Sequence, residues 1–267
     1  MINFDTISPV VLIHVFSLAG SVVSIAQKLL LTKDMNLIEL MMLRNFGVSI
    51  IIFLLMGKER RKTLFTFSMM NKKEQIIFWL RNIVGFFLVI THVGAFMFLP
   101  TSTVTIIYNM KTFFGSFFAF LIVREPIYLI EIICISVSFF GVSLIFVGRE
   151  EGHNAIESHW LSYLLPISAA AFGGLYVVLT RYLKNLDTCY SLFWVTFSEV
   201  WVNLPIDLLQ IFTGKGILGL PPSNWQNYSF MDYFSGIFVV GGMLTIAAFC
   251  TLSAFARAKT GSIIMLV

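Results

Sequence analysis

The chain is divided into apolar runs of about 20 residues, the length an α-helix needs to cross the hydrocarbon core of a bilayer. Eight runs are complete, at roughly 9–29, 37–56, 76–98, 101–123, 127–147, 161–181, 190–212 and 233–256. A ninth starts near Thr260 and gives only GSIIMLV, so the second half is expected to be truncated. Backbone polar groups have no water to bond in lipid, which leaves only helices and closed barrels as spanning structures. A barrel would show alternating stretches of ~10 residues, so the expected fold is an all-α polytopic membrane protein. With 58% hydrophobic and 12% charged residues and a mean hydropathy of +0.88, a soluble domain is excluded. The first run has Asp5 where a signal peptide would carry cations, and many further runs follow. It therefore reads as a retained span.

The net charge of +4 is small and clustered, which points to membrane orientation and away from nucleic acid. One set of connections carries Lys58, Arg60, Arg61, Lys62, Lys72 and Lys73, then Arg124, Arg181 with Lys184, and Arg257 with Lys259. The other set holds the acidic GREEGHNAIES and the nearly uncharged GKGILGLPPSNWQNYSFMDY. By the positive-inside rule, the first set and the N-terminus face the cytoplasm. Cys134, Cys189 and Cys250 have neither metal-ligand spacing nor a disulfide pattern. No metal and no cofactor is expected. Neither GxSG, GxGD nor HExxH occurs, so an intramembrane hydrolase has no nucleophile, aspartate pair or zinc site to work with.

The fourth run, between Leu99 and Pro126, is the most informative. At 3.6 residues per turn, one helical face carries Ile106, Ile107, Met110, Phe113, Phe114, Phe117, Phe118 and Leu121, all suited to lipid. The other gathers Thr101, Thr105, Tyr108, Asn109, Thr112, Gly115 and Ser116, with Lys111 at its edge near mid-membrane. A lysine at that depth costs ~2.5–3.5 kcal/mol on insertion scales and should face protein or a wet cavity. It could bind an anionic or carbonyl-rich substrate, assisted by Thr105, Tyr108 and Asn109. The alternative is a buried ion pair.

Other polar groups lie deep in apolar runs. Thr196, Glu199 and Asn203 fall on one helical face of the seventh run. Glu199 is either a proton-coupling carboxylate or the counter-charge of Lys111, and Pro205 could kink the helix just beyond. In the third run Arg81, Asn82, Gly85 and His92 share a face, with Arg81 expected to snorkel to head groups. Arg44 and Glu39 are expected to pair near the outer surface. Ala169, Gly173 and Gly174, and likewise Gly241, Thr245 and Ala248, form smooth packing stripes.

A faint internal repeat aligns AFMFLPTSTVTII (95–107) with AFARAKTGSIIML (254–266). A repeat unit of five spans is odd, so the second copy would enter the membrane inverted, as in many secondary transporters. Several stretches carry a resemblance: LIELMMLRNFGVSIIIFL with Arg44, WLRNIVGFF, FMFLPTSTVTII, FAFLIVREPI with Glu125, and FFGVSLIFVG with Gly141. In that order they resemble the EamA-like branch of the drug/metabolite transporter superfamily. Many EamA-like members have proline near Lys111 and Thr112. A lysine there is similar to the nucleotide-sugar and triose-phosphate translocators of the same superfamily. The resemblance implies ten spans in two inverted five-span halves, 1–150 and an incomplete 151–267. It also implies a secondary transporter of a small polar metabolite, with Arg81 and Asn82 at the cytoplasmic mouth of the pathway; the substrate is anionic if Lys111 binds it. The expected partners are the substrate and the lipid bilayer, with a homodimer left open. The rival reading is a non-transporting remnant or sensor-like protein of the same fold.

Overall fold

The computed structural model describes residues 9–33, 35–65, 70–124, 160–183, 186–216 and 228–257, with scattered positions from 129 to 144 and residues 223 and 225. It is helical, with no strand among the described residues. The helices are α1 (Pro9–Leu31), α2 (Leu37–Leu55), the short α3 (Lys58–Thr63), α4 (Lys72–Phe98), α5 (Thr101–Tyr108) and α6 (Lys111–Phe118). They continue as α7 (Leu164–Tyr182), α8 (Thr188–Thr213), α9 (Phe230–Phe234) and α10 (Gly241–Arg257). Wider π-turns extend α6 over Ala119–Val123 and join α9 to α10 over Ser235–Val240.

Seven stretches are long and apolar enough to cross a membrane: His14–Leu31, Leu37–Leu55, Lys72–Phe98, Thr101–Ile122, Leu161–Tyr182, Thr188–Thr213 and Phe230–Cys250. They coincide with seven of the eight runs read from the sequence and fit a multi-pass integral membrane protein. Most of the fifth run (127–147), the Glu125-Pro126 turn, the acidic loop after Gly148 and the repeat copy beyond Thr260 lie outside the described residues.

Two packed units emerge. One contains α1, α2, α3, the start of α4 up to Asn82, and α8 to α10. Within it α1 lies along α10, while α2 packs against α8, α10 and the π-turn before α10. Helix α2 starts at a capping box: the Asn36 side chain accepts from the Ile38 amide, and Glu39 reaches back to the Asn36 amide. Aromatic residues fill one end of this unit, where Phe65, Phe193, Trp194 and Phe197 meet largely edge to face and the Trp194 indole donates to the Leu64 carbonyl at 2.9 Å. Small residues permit the close helix crossing. A Cβ on Gly47 of α2 would run into the Ile237 carbonyl, and one on Gly241 would stand 3.0 Å from the Arg44 carbonyl.

The second unit holds α4 from Ile83, with α5, α6 and α7. Helix α7 packs against both α5 and α6. A Cβ on Gly174 would lie 2.5 Å from the Gly115 amide nitrogen, so these helices touch backbone to backbone. The glycine stripes read from the sequence are thus contact surfaces.

Membrane helices associate through such close packing, since lipid tails are as apolar as leucine. Gly47→Ala and Gly174→Ala should therefore each lower stability in detergent by about 1–3 kcal/mol, the usual cost of overpacking. Gly20, with open space around its Cα, should accept alanine with no loss, gaining up to ~1 kcal/mol of helix propensity. Thermal unfolding of the three variants checks the contrast.

Candidate functional site

The fourth span runs as one right-handed helical stretch over Thr101–Ile122, close to the expected Thr101 to Val123. It tightens at Asn109 and Met110, which keep right-handed helical dihedrals: the Met110 amide bonds the Ile107 carbonyl at 3.0 Å and the Thr112 amide bonds the Asn109 carbonyl at 3.3 Å. Helix α6 then begins at Lys111. Short i→i+3 stretches inside a helix are poorer in bond geometry and often mark hinges or functional positions.

Lys111 is buried, with 8% of its surface exposed. Its ammonium lies 4.8 Å from the centre of the Tyr108 ring, a cation–π arrangement. The His92 ring packs against Tyr108 from α4 at 4.2 Å and against Phe96 at 5.0 Å. Gly173 forms the floor, since a Cβ there would sit 3.3 Å from the Tyr108 ring and 3.4 Å from the Lys111 Cβ. The buried seam of this span runs through Val104, Ile107, Lys111, Gly115 and Ala119. Ile107, assigned to lipid on the sequence, is therefore inside. Thr105 and Asn109 are exposed, on the strip that continues through Phe113 and Phe117. The Thr105 hydroxyl donates to its own helix at the Thr101 carbonyl.

The other charged residues form a separate polar seam, in the unit that holds α2 and α8. Glu199 accepts from the Asn45 amide at 2.6 Å and pairs with the Arg44 guanidinium at 3.5 Å, and Arg44 also donates to Asn45 at 3.2 Å. All three are buried. One turn away, the Ser49 and Thr196 hydroxyls meet at 2.8 Å. At the other end the Asn36 amide donates to Gln210 at 2.9 Å. Thr196, Glu199 and Asn203 do share a face, and that face continues through Asp207 and Gln210, all of it buried. Spacings of three and four residues keep these groups on one side of α8.

This seam changes two expectations. Arg44 pairs with Glu199 and not with Glu39, which instead accepts from Tyr228 and from Ser223 at 2.7 Å. Glu199 thus has its counter-charge in Arg44. Arg81 does not snorkel: it is 0% exposed. It donates to the Ser191 hydroxyl, to the Ser191 carbonyl at 3.1 Å and to Asn82 at 3.2 Å, with its guanidinium over the Phe78 ring at 5.0 Å. These partners in the first turn of α8 replace the head groups it would otherwise seek. Among the described residues no group of His, Cys, Asp and Glu is arranged to hold a metal ion.

Of the residues singled out on the sequence, Lys111 and Tyr108 come together, with His92 joining them. Arg81 lies beside Asn82, and Glu199 belongs to the α2–α8 seam. Sequence reasoning missed the seam's extension, although Asp207 and Gln210 continue the same spacing and were there to be counted.

A buried ion pair is held by both partners, and removing one strands the other at a cost of about 3–5 kcal/mol. Arg44→Met should destabilise the chain by that order, Glu199→Gln alone by less, and the double variant should recover most of the loss. Thermal unfolding of the four proteins in one detergent measures this coupling. Neither a family model nor a curated protein matches the chain.

Proposed function

We propose that the chain is a secondary transporter for a small, polar, anionic metabolite, working by alternating access. One observation carries this reading: a buried lysine follows a tightened turn halfway along a membrane-length helix. Tightened turns inside a helix often mark functional positions, and intramembrane charges are functional by default. Lys111 would contact the anion, with Tyr108 holding the ammonium in place and Thr105 and Asn109 lining the approach from the exposed strip. Asn82, whose amide nitrogen lacks a bond partner, would line the mouth. Arg81 positions the start of α8, and Glu199 couples the movement of α2 and α8 to protonation.

The wider reading follows the resemblance to the EamA-like transporters and the sugar-phosphate translocators. It comprises two inverted five-span halves, 1–150 and 151–267, with the N-terminus in the cytoplasm. Orientation is tested by thiol labelling of sealed, right-side-out vesicles with an impermeant reagent on a cysteine-free background. Ala155→Cys should label and Arg60→Cys should not; the reverse pattern would overturn the assignment.

Transport is tested by counterflow in vesicles reconstituted with the full chain and preloaded with sugar phosphates, nucleotide sugars or dicarboxylates. Exchange of at least one class is expected. Lys111→Ala should reduce it roughly 10- to 100-fold, the loss of one charge-assisted bond of ~1.5–3 kcal/mol, with no fall in thermal midpoint. Lys111→Arg keeps charge but not shape, and should retain part of the activity. Binding without exchange would favour a sensor, and exchange indifferent to Lys111 would remove the site.

A further inference from the structure

The α2–α8 seam has bonded ends and an unbonded middle. At one end Glu199 is held by Arg44 and Asn45; at the other, Asp207 accepts from the Trp225 indole at 2.8 Å through one carboxylate oxygen only. Between them Asn203 is 0% exposed, and neither its amide nitrogen nor its carbonyl oxygen has a hydrogen-bond partner. The second Asp207 oxygen and the Gln210 amide nitrogen are unbonded as well. Four adjacent unbonded polar atoms in a seam otherwise closed by good bonds call for an occupant, because a buried amide is rarely left unpaired.

Spacing identifies the occupant. Glu199, Asn203 and Asp207 stand at i, i+4 and i+8, each step rising about 6 Å along the helix. The heads make no direct bond here, since both Asn203 polar atoms are unpartnered, and two ~2.8 Å bonds through one water span a gap of that order. An asparagine amide offers two donors and two lone pairs, enough to anchor a water on each side. We propose that Glu199, Asn203 and Asp207 form a proton-conducting file, with water held by Asn203 between the two carboxylates.

A proton entering on Asp207 passes to the adjoining water as that file gives one up to the Glu199 carboxylate. An O–H bond breaks at Asp207 and one forms at Glu199, the waters end with their original composition, and the Asn203 amide keeps its protonation throughout. Neutral Glu199 then attracts Arg44 less, which loosens the tie between α2 and α8. Glu199 faces Arg44 on α2 and, two turns along its own helix, Asp207. Glu39 on α2 is bonded to Tyr228 and Ser223, and Arg81 on α4 is engaged by Ser191 two turns away in the opposite direction. The packed stretch from Ser235 to Cys250 offers no ionisable side chain other than the Cys250 thiol. The inference concerns this seam alone and does not depend on Lys111 binding substrate.

The test is infrared difference spectroscopy on the full chain in lipid nanodiscs. The protonated-carboxyl band deleted by Glu199→Gln is followed after rapid transfer to D₂O. Wild-type exchange should be fast, and Asn203→Leu, which cannot hold water, should exchange at least about tenfold more slowly. Asn203→Ser, whose hydroxyl still anchors water, should stay near the wild-type rate. Asp207→Asn breaks the file at its outer carboxylate and should slow exchange like the leucine variant; it decides the matter if Asn203→Leu does not fold. Absence of a Glu199 band over the stable pH range, or wild-type exchange in a folded Asn203→Leu or in Asp207→Asn, would overturn the proposal. So would a serine variant as slow as leucine.

Discussion

The pairing of Glu199 with Arg44, tightened by Asn45, is the interaction on which the α2–α8 interface depends. Taking either charge out of water alone costs several kcal/mol, so each helix buries its charge best against the other. That condition sets the antiparallel register of α2 and α8. Ser49 then meets Thr196 on one side of the pair and Asn36 meets Gln210 on the other. Glycines finish the arrangement by letting α2 approach the π-turn and α10 at Gly47 and Gly241. The interface is polar along about 21 Å of α8 from Thr196 to Gln210, at 1.5 Å per residue. Between lipid-exposed helices, such a seam has a direction and a register that apolar packing alone would leave undefined.

The Lys111 cluster solves the same problem differently. Its charge rests over Tyr108, His92 packs against that ring at a tilt, and Gly173 leaves space for Tyr108 and Lys111. An aromatic face holds an ammonium less tightly than a carboxylate does. Arg44 and Arg81 are held by carboxylate, amide and hydroxyl groups, while Lys111 has an aromatic ring at its ammonium and follows a tightened turn in its helix.

The spans were legible because length and apolarity are properties of a single segment, and seven of the eight runs reappear as membrane-length helices. The shared face of Thr196, Glu199 and Asn203 was legible for the same reason, as helical spacing is local. Partner choice was not. Arg44 and Glu199 lie 155 residues apart, and nothing near Arg44 in sequence distinguishes Glu199 from the closer Glu39. Ile107 was misplaced because the inside of a membrane bundle is as apolar as its lipid-facing side, so hydropathy cannot tell the two apart. The tightened turn at Asn109 and Met110 carries neither proline nor glycine, the usual marks of a disturbed helix, and so left no signal.

A substrate pathway at Lys111 requires that the exposed Thr105 and Asn109 beside it be reached by water within the membrane. Single cysteines at positions 105, 109, 117 and 121, in a chain with its native cysteines replaced by serine, test it with a water-soluble thiol reagent. Positions 105 and 109 should react, and positions 117 and 121 should stay inert in lipid. If 105 and 109 are as unreactive as 117, the strip faces lipid along its whole length, and a substrate pathway at Lys111 is contradicted.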